Sequence, residues 1–191
     1  ALPILRITYI SKDGNVIFDT HKKLINDNES YLKRQEIIEA IEIAKYKGLK
    51  LPILYNTNGY DTLETIKLLD GYIDVYLPDF KYFDDKYSIK YSKAKDYSSE
   101  IIPILKEMVR QTGKPSFDDK GRILKGVIIR HLMLPGLLFD SKKVIDKIYS
   151  TFGDDVYISI MNQYTPMHNS SKYPEINKFL RSEEHTSELQ S

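Results

Sequence analysis

From Tyr31 onward, apolar and polar positions alternate between two rhythms. EIIEAIEIAKYKG sets Ile37, Ile41 and Ala44 on one helical face, with Gly48 as a stop signal, and predicts a helix. LPILY (Leu51 to Tyr55) is a short branched apolar run that predicts a strand, closed by the turn-rich NTNGYD. TLETIKLLDG follows as a helix, and IDVYL (Ile73 to Leu77) as the next strand. The charged KYFDDKYSIKYSKAKDYS leads into a helix over SEIIPILKEMVRQTG, with Pro103 tolerated in its first turn. KPSFDDKGR reads as a loop, and GVIIRHLML as a strand stopped by Pro135 and Gly136. SKKVIDKIYSTFG predicts a helix whose start is marked by Asp140 or Ser141. VYISIM (Val156 to Met161) is the last strand, NQYTPMHNSSKYPE a polar exit, and YPEINKFL a final helical stretch.

Strands that are apolar throughout, each followed by a helix, imply a parallel sheet covered by helices. Four such units with right-handed crossovers make either an open doubly wound sheet or an arc of a β/α barrel. The pattern predicts one domain over residues 31–180. Residues 1–30 break the alternation: ILRITYI and NVIF flank SKDG as two short strands around a turn. They read as an accessory hairpin or a misread gene start. Residues 181–191, RSEEHTSELQS, are polar and aperiodic and resemble a translated sequencing adapter, so His185 carries no function in this reading.

Composition narrows the chemistry. The 191 residues carry a net charge of +1, which gives no electrostatic case for nucleic acid or an anionic membrane. No membrane span or signal peptide is visible, so a cytoplasmic location is expected. The sequence contains no cysteine, which rules out disulfides, a nucleophilic thiol and thiolate-held metal within these residues. His21, His131, His168 and His185 show no ligand spacing, and the reading names no metal ligand.

In parallel α/β folds, ligands bind where the carboxyl ends of strands open into loops. Those ends here are Asn56-Thr57-Asn58-Gly59, Asp79-Phe80-Lys81, Arg130-His131 and Asn162-Gln163-Tyr164. Each has a structural explanation as well. TNG is a turn, Asp79 and Lys81 could form a surface pair worth under about 1 kcal/mol, and Arg130-His131 could be the wet end of a strand. Their recurrence at the same end of successive strands points to one site for a small polar ligand bearing a carboxylate and hydroxyls.

The segments LPILYNTNGYDTLETIKLLDGYIDVYLPDFKYFDD, GVIIRHLMLPG and VYISIMNQYTPM, in that order, resemble the later strands of radical S-adenosylmethionine (radical SAM) proteins. The resemblance spans roughly Glu36 to Leu180 and is strongest to uncharacterised relatives of pyruvate formate-lyase-activating enzyme. It implies a partial β/α barrel, here truncated at its N-terminal side. It further implies SAM and a [4Fe–4S] cluster as cofactors, and a glycyl-radical-type protein and an electron donor as partners. In that family a cluster bound by C-x-x-x-C-x-x-C cleaves SAM to a 5′-deoxyadenosyl radical. By resemblance, Asp79 and Lys81 match a D-x-K lining the SAM site, and Arg130 matches an arginine on a later strand. Asn56 and Thr57 match a D-T pair near the SAM carboxylate, with Asn56 in place of the aspartate. Asn162 and Gln163 fall where the last strand meets adenosine or substrate. No catalytic residue is assigned.

Without the cluster cysteines, the chain as given is expected to be inactive, with weak SAM binding, and the activity belongs to a longer parent. A cluster-free α/β module that binds a small molecule is the alternative. A Schiff-base enzyme built on Lys81 and Asp79 is a third reading, with no second proton-transfer group placed by the sequence.

Overall fold

The computed structural model describes residues 8–10, 16–19 and 34–180, with side chains from residue 37 onward except at residue 168. Most of the leading segment and the whole 181–191 tail, with His21 and His185, lie outside the described residues. Strand β1 (Thr8–Ile10) pairs antiparallel with β2 (Val16–Asp19). Then follow α1 (Arg34–Tyr46), β3 (Leu54–Thr57), α2 (Leu63–Leu68) and β4 (Val75–Pro78). A short helical turn, α3 (Asp85–Tyr87), runs into a π-helical turn at Ser88–Ser92. The rest is α4 (Tyr97–Thr112), β5 (Ser116–Phe117), β6 (Ile123–Leu132), α5 (Leu138–Phe152), β7 (Tyr157–Met161) and a final 3₁₀ turn at His168–Lys172.

The fold is α/β. β3, β4, β6 and β7 lie side by side in chain order, all parallel. The two-residue β5 runs antiparallel to the first residues of β6, with Phe117 edge-on to Tyr157 of β7. One buried cluster joins Ile37 and Ile41 of α1, Ile66 of α2, Leu105 and Met108 of α4, and Val144 and Ile148 of α5 to the strands. The strand side of that cluster is Tyr55, Tyr76, Val127 and Ile129. Tyr55, Tyr76 and Val127 are register partners, and Ile129 lies two residues on. Side chains alternate along a strand, so the helices share one face of the sheet. Each of these residues, fully enclosed, contributes about 1.5–3 kcal/mol relative to exposure. This face holds the domain together.

Local chemistry explains the element ends. The Thr62 hydroxyl accepts from Thr65 N at 3.2 Å and caps α2, satisfying one of its free amides. Gly48, at φ +95°, stops α1 where a side chain would be strained. Pro103, expected in the first turn of its helix, sits past that turn in α4, because the helix begins earlier, at Tyr97.

Several elements depart from the sequence expectation. β3 starts three residues later than LPILY suggests, because the Ile53 amide turns to the Asp74 carboxylate instead of a ladder partner. The loop KPSFDDKGR contributes β5, whose two residues carry no readable period. YPEINKFL forms a single turn closed at Tyr173 O. Its hydrogen-bonding groups are used elsewhere: Tyr173 donates to Lys90 O, and Glu175 accepts from Tyr91 and pairs with Lys90. α5 begins at Leu138, so neither Asp140 nor Ser141 marks its start. Among the described residues no helix is long and apolar enough to cross a membrane.

Candidate ligand site at the strand ends

The strand register decides which polar side chains meet. Asn56 pairs with Leu77, and the ladder continues beyond β4 as an isolated parallel bridge between Asp79 and Arg130. With period-two alternation, Asn56, Asp79, Lys81 and Arg130 all fall on the face away from the helices. Phe80, between the two charges, points the other way and is fully buried in the core. A strand that ends D-x-K thus anchors with its middle residue and offers the outer two.

Asp79 is the hub. Arg130 Nη2 lies 2.6 Å from Asp79 Oδ1, and Lys81 Nζ lies 3.6 Å from Asp79 Oδ2. One carboxylate bridging two cations leaves a net positive charge in a half-buried setting. The Arg130 contact is close but poorly aligned: Asp79 Oδ1 and Arg130 Nε are both buried without a hydrogen-bond partner. Unmet polar atoms of this kind are uncommon in folded proteins and mark the pair as a place where a further polar group would be accommodated chemically. A ligand carboxylate suits the guanidinium, which offers a planar donor fork, and a ligand ammonium suits the Asp79 carboxylate, where it would compete with the more distant Lys81.

The main chain of this segment is tied at nearly every step. Asp79 N donates to Thr57 O at 3.1 Å and Phe80 N to Arg130 O at 2.9 Å. The Tyr97 hydroxyl accepts from Lys81 N at 3.0 Å and donates to Asp79 O at 3.1 Å. Burial raises the Tyr97 phenol above its ordinary range, which keeps that proton in place. Phe80 O accepts from His131 Nδ1 at 2.7 Å, and the Asp140 carboxylate accepts from Phe83 N at 3.0 Å and Asp84 N at 2.9 Å. Gly59 completes the enclosure: a Cβ there would stand 2.0 Å from Asp79 O.

The other residues singled out from the sequence divide. Thr57 is buried on the helix side, where its hydroxyl donates to Asp61 and accepts from Gly59 N, so the structure does not bring it to Asp79. His131, the neighbour of Arg130, also turns to the helix side and is buried. Its ring donates to Phe80 O, so Nε2 is bare and accepts from the Ser141 hydroxyl at 2.8 Å. Burial, the larger effect, lowers its pKa below the usual histidine value. His131 is therefore a neutral internal strut, not a cation at the mouth. Asn162 and Gln163 are exposed beyond β7; the level with Arg130 on that strand is held by Ser159. Tyr97 and Asp140, which frame the site, were not among the residues singled out for it from the sequence, whereas Gly59 was, as part of the strand-end turn. Tyr97 and Asp140 reach the segment from α4 and α5, so no local pattern shows their part in it.

The donor set fits the amino-carboxylate end of an amino-acid-like ligand. It does not fit an iron–sulfur cluster: the sequence has no thiolate, and the described residues contain no group of three or more His, Asp or Glu placed to hold a metal.

No protein-family model matches the chain, and no solved structure matches it. An uncharacterised protein of Methanocaldococcus jannaschii is similar, 29% identical over 168 residues that make up 86% of this chain and 45% of that protein. The chain thus spans less than half the length of the curated relative it matches.

Proposed function

We propose that the chain is part of a radical SAM domain of the kind that activates glycyl-radical enzymes, and that its own contribution is to bind the amino-carboxylate of SAM. The observation that carries this reading is the Asp79–Lys81–Arg130 group at the strand ends, on the face opposite the core helices. The strand order is consistent with it. Among the described residues β3, β4, β6 and β7 follow one another without reversal, an order that suits an arc of a β/α barrel as well as one half of a doubly wound sheet.

In this reading Arg130 and Lys81 take the ligand carboxylate and Asp79 its ammonium, with Asn56 at the open edge near the ribose or carboxylate. Gln163 and Asn162 line the far side, towards adenosine or substrate. When bound together with a reduced [4Fe–4S] cluster, SAM supplies the 5′-deoxyadenosyl radical in this family. The cluster does not fit this chain, which holds no thiolate to bind it. The parent protein would bring the cysteines, and an electron donor and a glycyl-radical-type protein would be its partners.

Calorimetric titration of the 191-residue chain tests the chain's own part. SAM and S-adenosylhomocysteine, which share the amino-carboxylate, are expected to bind with similar, weak affinity. Asp79→Asn and Arg130→Gln should each weaken both ligands about tenfold or more, corresponding to about 1.4 kcal/mol. The chain with dithionite should form no 5′-deoxyadenosine. Failure of both ligands to bind at millimolar concentration, or binding indifferent to Asp79 and Arg130, would falsify the reading.

A further inference from the structure

We propose that His131, Ser141 and Asp140 form a latch that sets the position of the Asp79–Lys81 segment, making them positioning residues for the ligand site rather than only core residues. The inference rests on the site just proposed, and its geometry stands independently of which ligand enters.

The three residues come from β6 and the first turn of α5, yet they act on the segment after β4. His131 Nδ1 holds Phe80 O at 2.7 Å, between the two charged residues of the site. Ser141 fixes the ring from behind, donating to Nε2 at 2.8 Å. Asp140 grips the next stretch, accepting from Phe83 N and Asp84 N. All three are buried. Burying a carboxylate is costly unless it is hydrogen-bonded, so a position where Asp140 serves two amides of a remote loop is a specific solution. A leucine at 140 would fill space, but it would release the segment that carries Lys81.

The latch also explains why neighbouring Arg130 and His131 differ so sharply in role. Arg130 meets Asp79 from the ligand side, while His131 meets the main chain of the following residue from the helix side. β6 therefore holds Asp79-Phe80-Lys81 from both faces. A displacement of α5 would move Phe80 O and with it the spacing between Asp79 and Arg130. Misplacement of a charged pair by about 1 Å is enough to change ligand affinity strongly.

Amide hydrogen exchange followed by NMR on the whole chain, together with SAM titration, tests this. Asp140→Asn should speed exchange at Phe83 and Asp84 about tenfold while Val127 and Ile129 keep their wild-type rates. His131→Leu should weaken SAM about tenfold, whereas His131→Asn, which restores a donor at the Nδ1 position, should recover most of that loss. If His131→Leu does not fold, Ser141→Ala serves in its place, with faster exchange at Lys81 expected. Exchange at Phe83 and Asp84 that rises only in step with Val127 overturns the latch, and so does a His131→Asn variant that binds SAM as weakly as His131→Leu. If the wild-type chain binds no SAM, the functional reading above fails, and the exchange pattern alone decides the latch.

Discussion

At the carboxyl end of the sheet, the same three strands present two different surfaces. On the helix side, Thr57, Phe80 and His131 are 2%, 0% and 1% exposed. On the other side, the side chains of Asp79, Arg130 and Lys81 are 19%, 25% and 35% exposed and carry charge. The difference is one residue in register. It teaches that a parallel strand can divide its labour by parity, giving alternate residues to stability and to recognition. Substitutions on the two surfaces should therefore separate, one set moving the unfolding curve and the other moving ligand affinity.

The strongest way to break that division is Phe80→Ala. A fully enclosed ring in the main cluster should cost about 3–5 kcal/mol, a large part of the stability of an average domain. Urea unfolding followed by circular dichroism should show a lower midpoint with an unchanged slope. A loss under about 1 kcal/mol would mean that the helix side is not where stability resides.

Gly59→Ala comes next because it strikes both surfaces at once. The residue has φ +79°, and a Cβ would meet Asp79 O at 2.0 Å, a carbonyl already held by Tyr97. Relief requires the Asp79 main chain to shift, so about 1–3 kcal/mol of strain and a loss of SAM affinity should appear together. A stable variant with wild-type affinity would show that the turn has slack and that Asp79 is not pinned.

The way these parts emerged from sequence follows physical range. The helices and the four parallel strands were legible because period and length are local signals, as with Ile101, Leu105 and Met108 along α4. Asp79, Lys81 and Arg130 were legible as strand-end charges. Thr57 was legible only in part: parity alone permits one of Asn56 and Thr57 to face the site, and the register shows it is Asn56. Asp140 looked like a helix start because Asp commonly caps helices, yet its carboxylate serves amides 56 and 57 residues away. YPEINKFL has a helical composition, but Tyr173 and Glu175 gain more from the aromatic turn at Tyr87 and Tyr91 than a short isolated helix provides. Such choices are settled by partners that no window of sequence contains.

Acid titration sharpens the comparison from the helix side. His131 is neutral when folded, with its pKa held below the ordinary 6.5, while in the unfolded chain it protonates near that value. Below about pH 6.5 the unfolded state binds the extra proton, so the stability due to His131 is present above that pH and is lost as the pH falls. Comparing the unfolding free energy of wild type and His131→Asn from about pH 7.5 to 5 isolates this share from that of the carboxylates. The wild type should lose stability more steeply. Parallel curves would place the histidine in contact with water.

The smallest effect is expected at Asn56, and it tests the ligand side without disturbing the other. Asn56 is exposed on β3, the edge strand of the sheet among the described residues, level with Leu77 and one strand from the Asp79 pair. Asn56→Asp adds a negative charge with no burial cost, so stability should change by less than about 0.5 kcal/mol. Its effect on binding depends on what fills the gap between the strand ends. If Arg130 and Lys81 alone take the ligand carboxylate, a second carboxylate facing them should weaken SAM slightly. If an Asp at this position recruits a cation, affinity should instead rise with added sodium or potassium, a dependence absent from the wild-type chain. A stability change beyond about 1.5 kcal/mol would contradict the exposed placement of residue 56 and, with it, the parity on which the two surfaces rest.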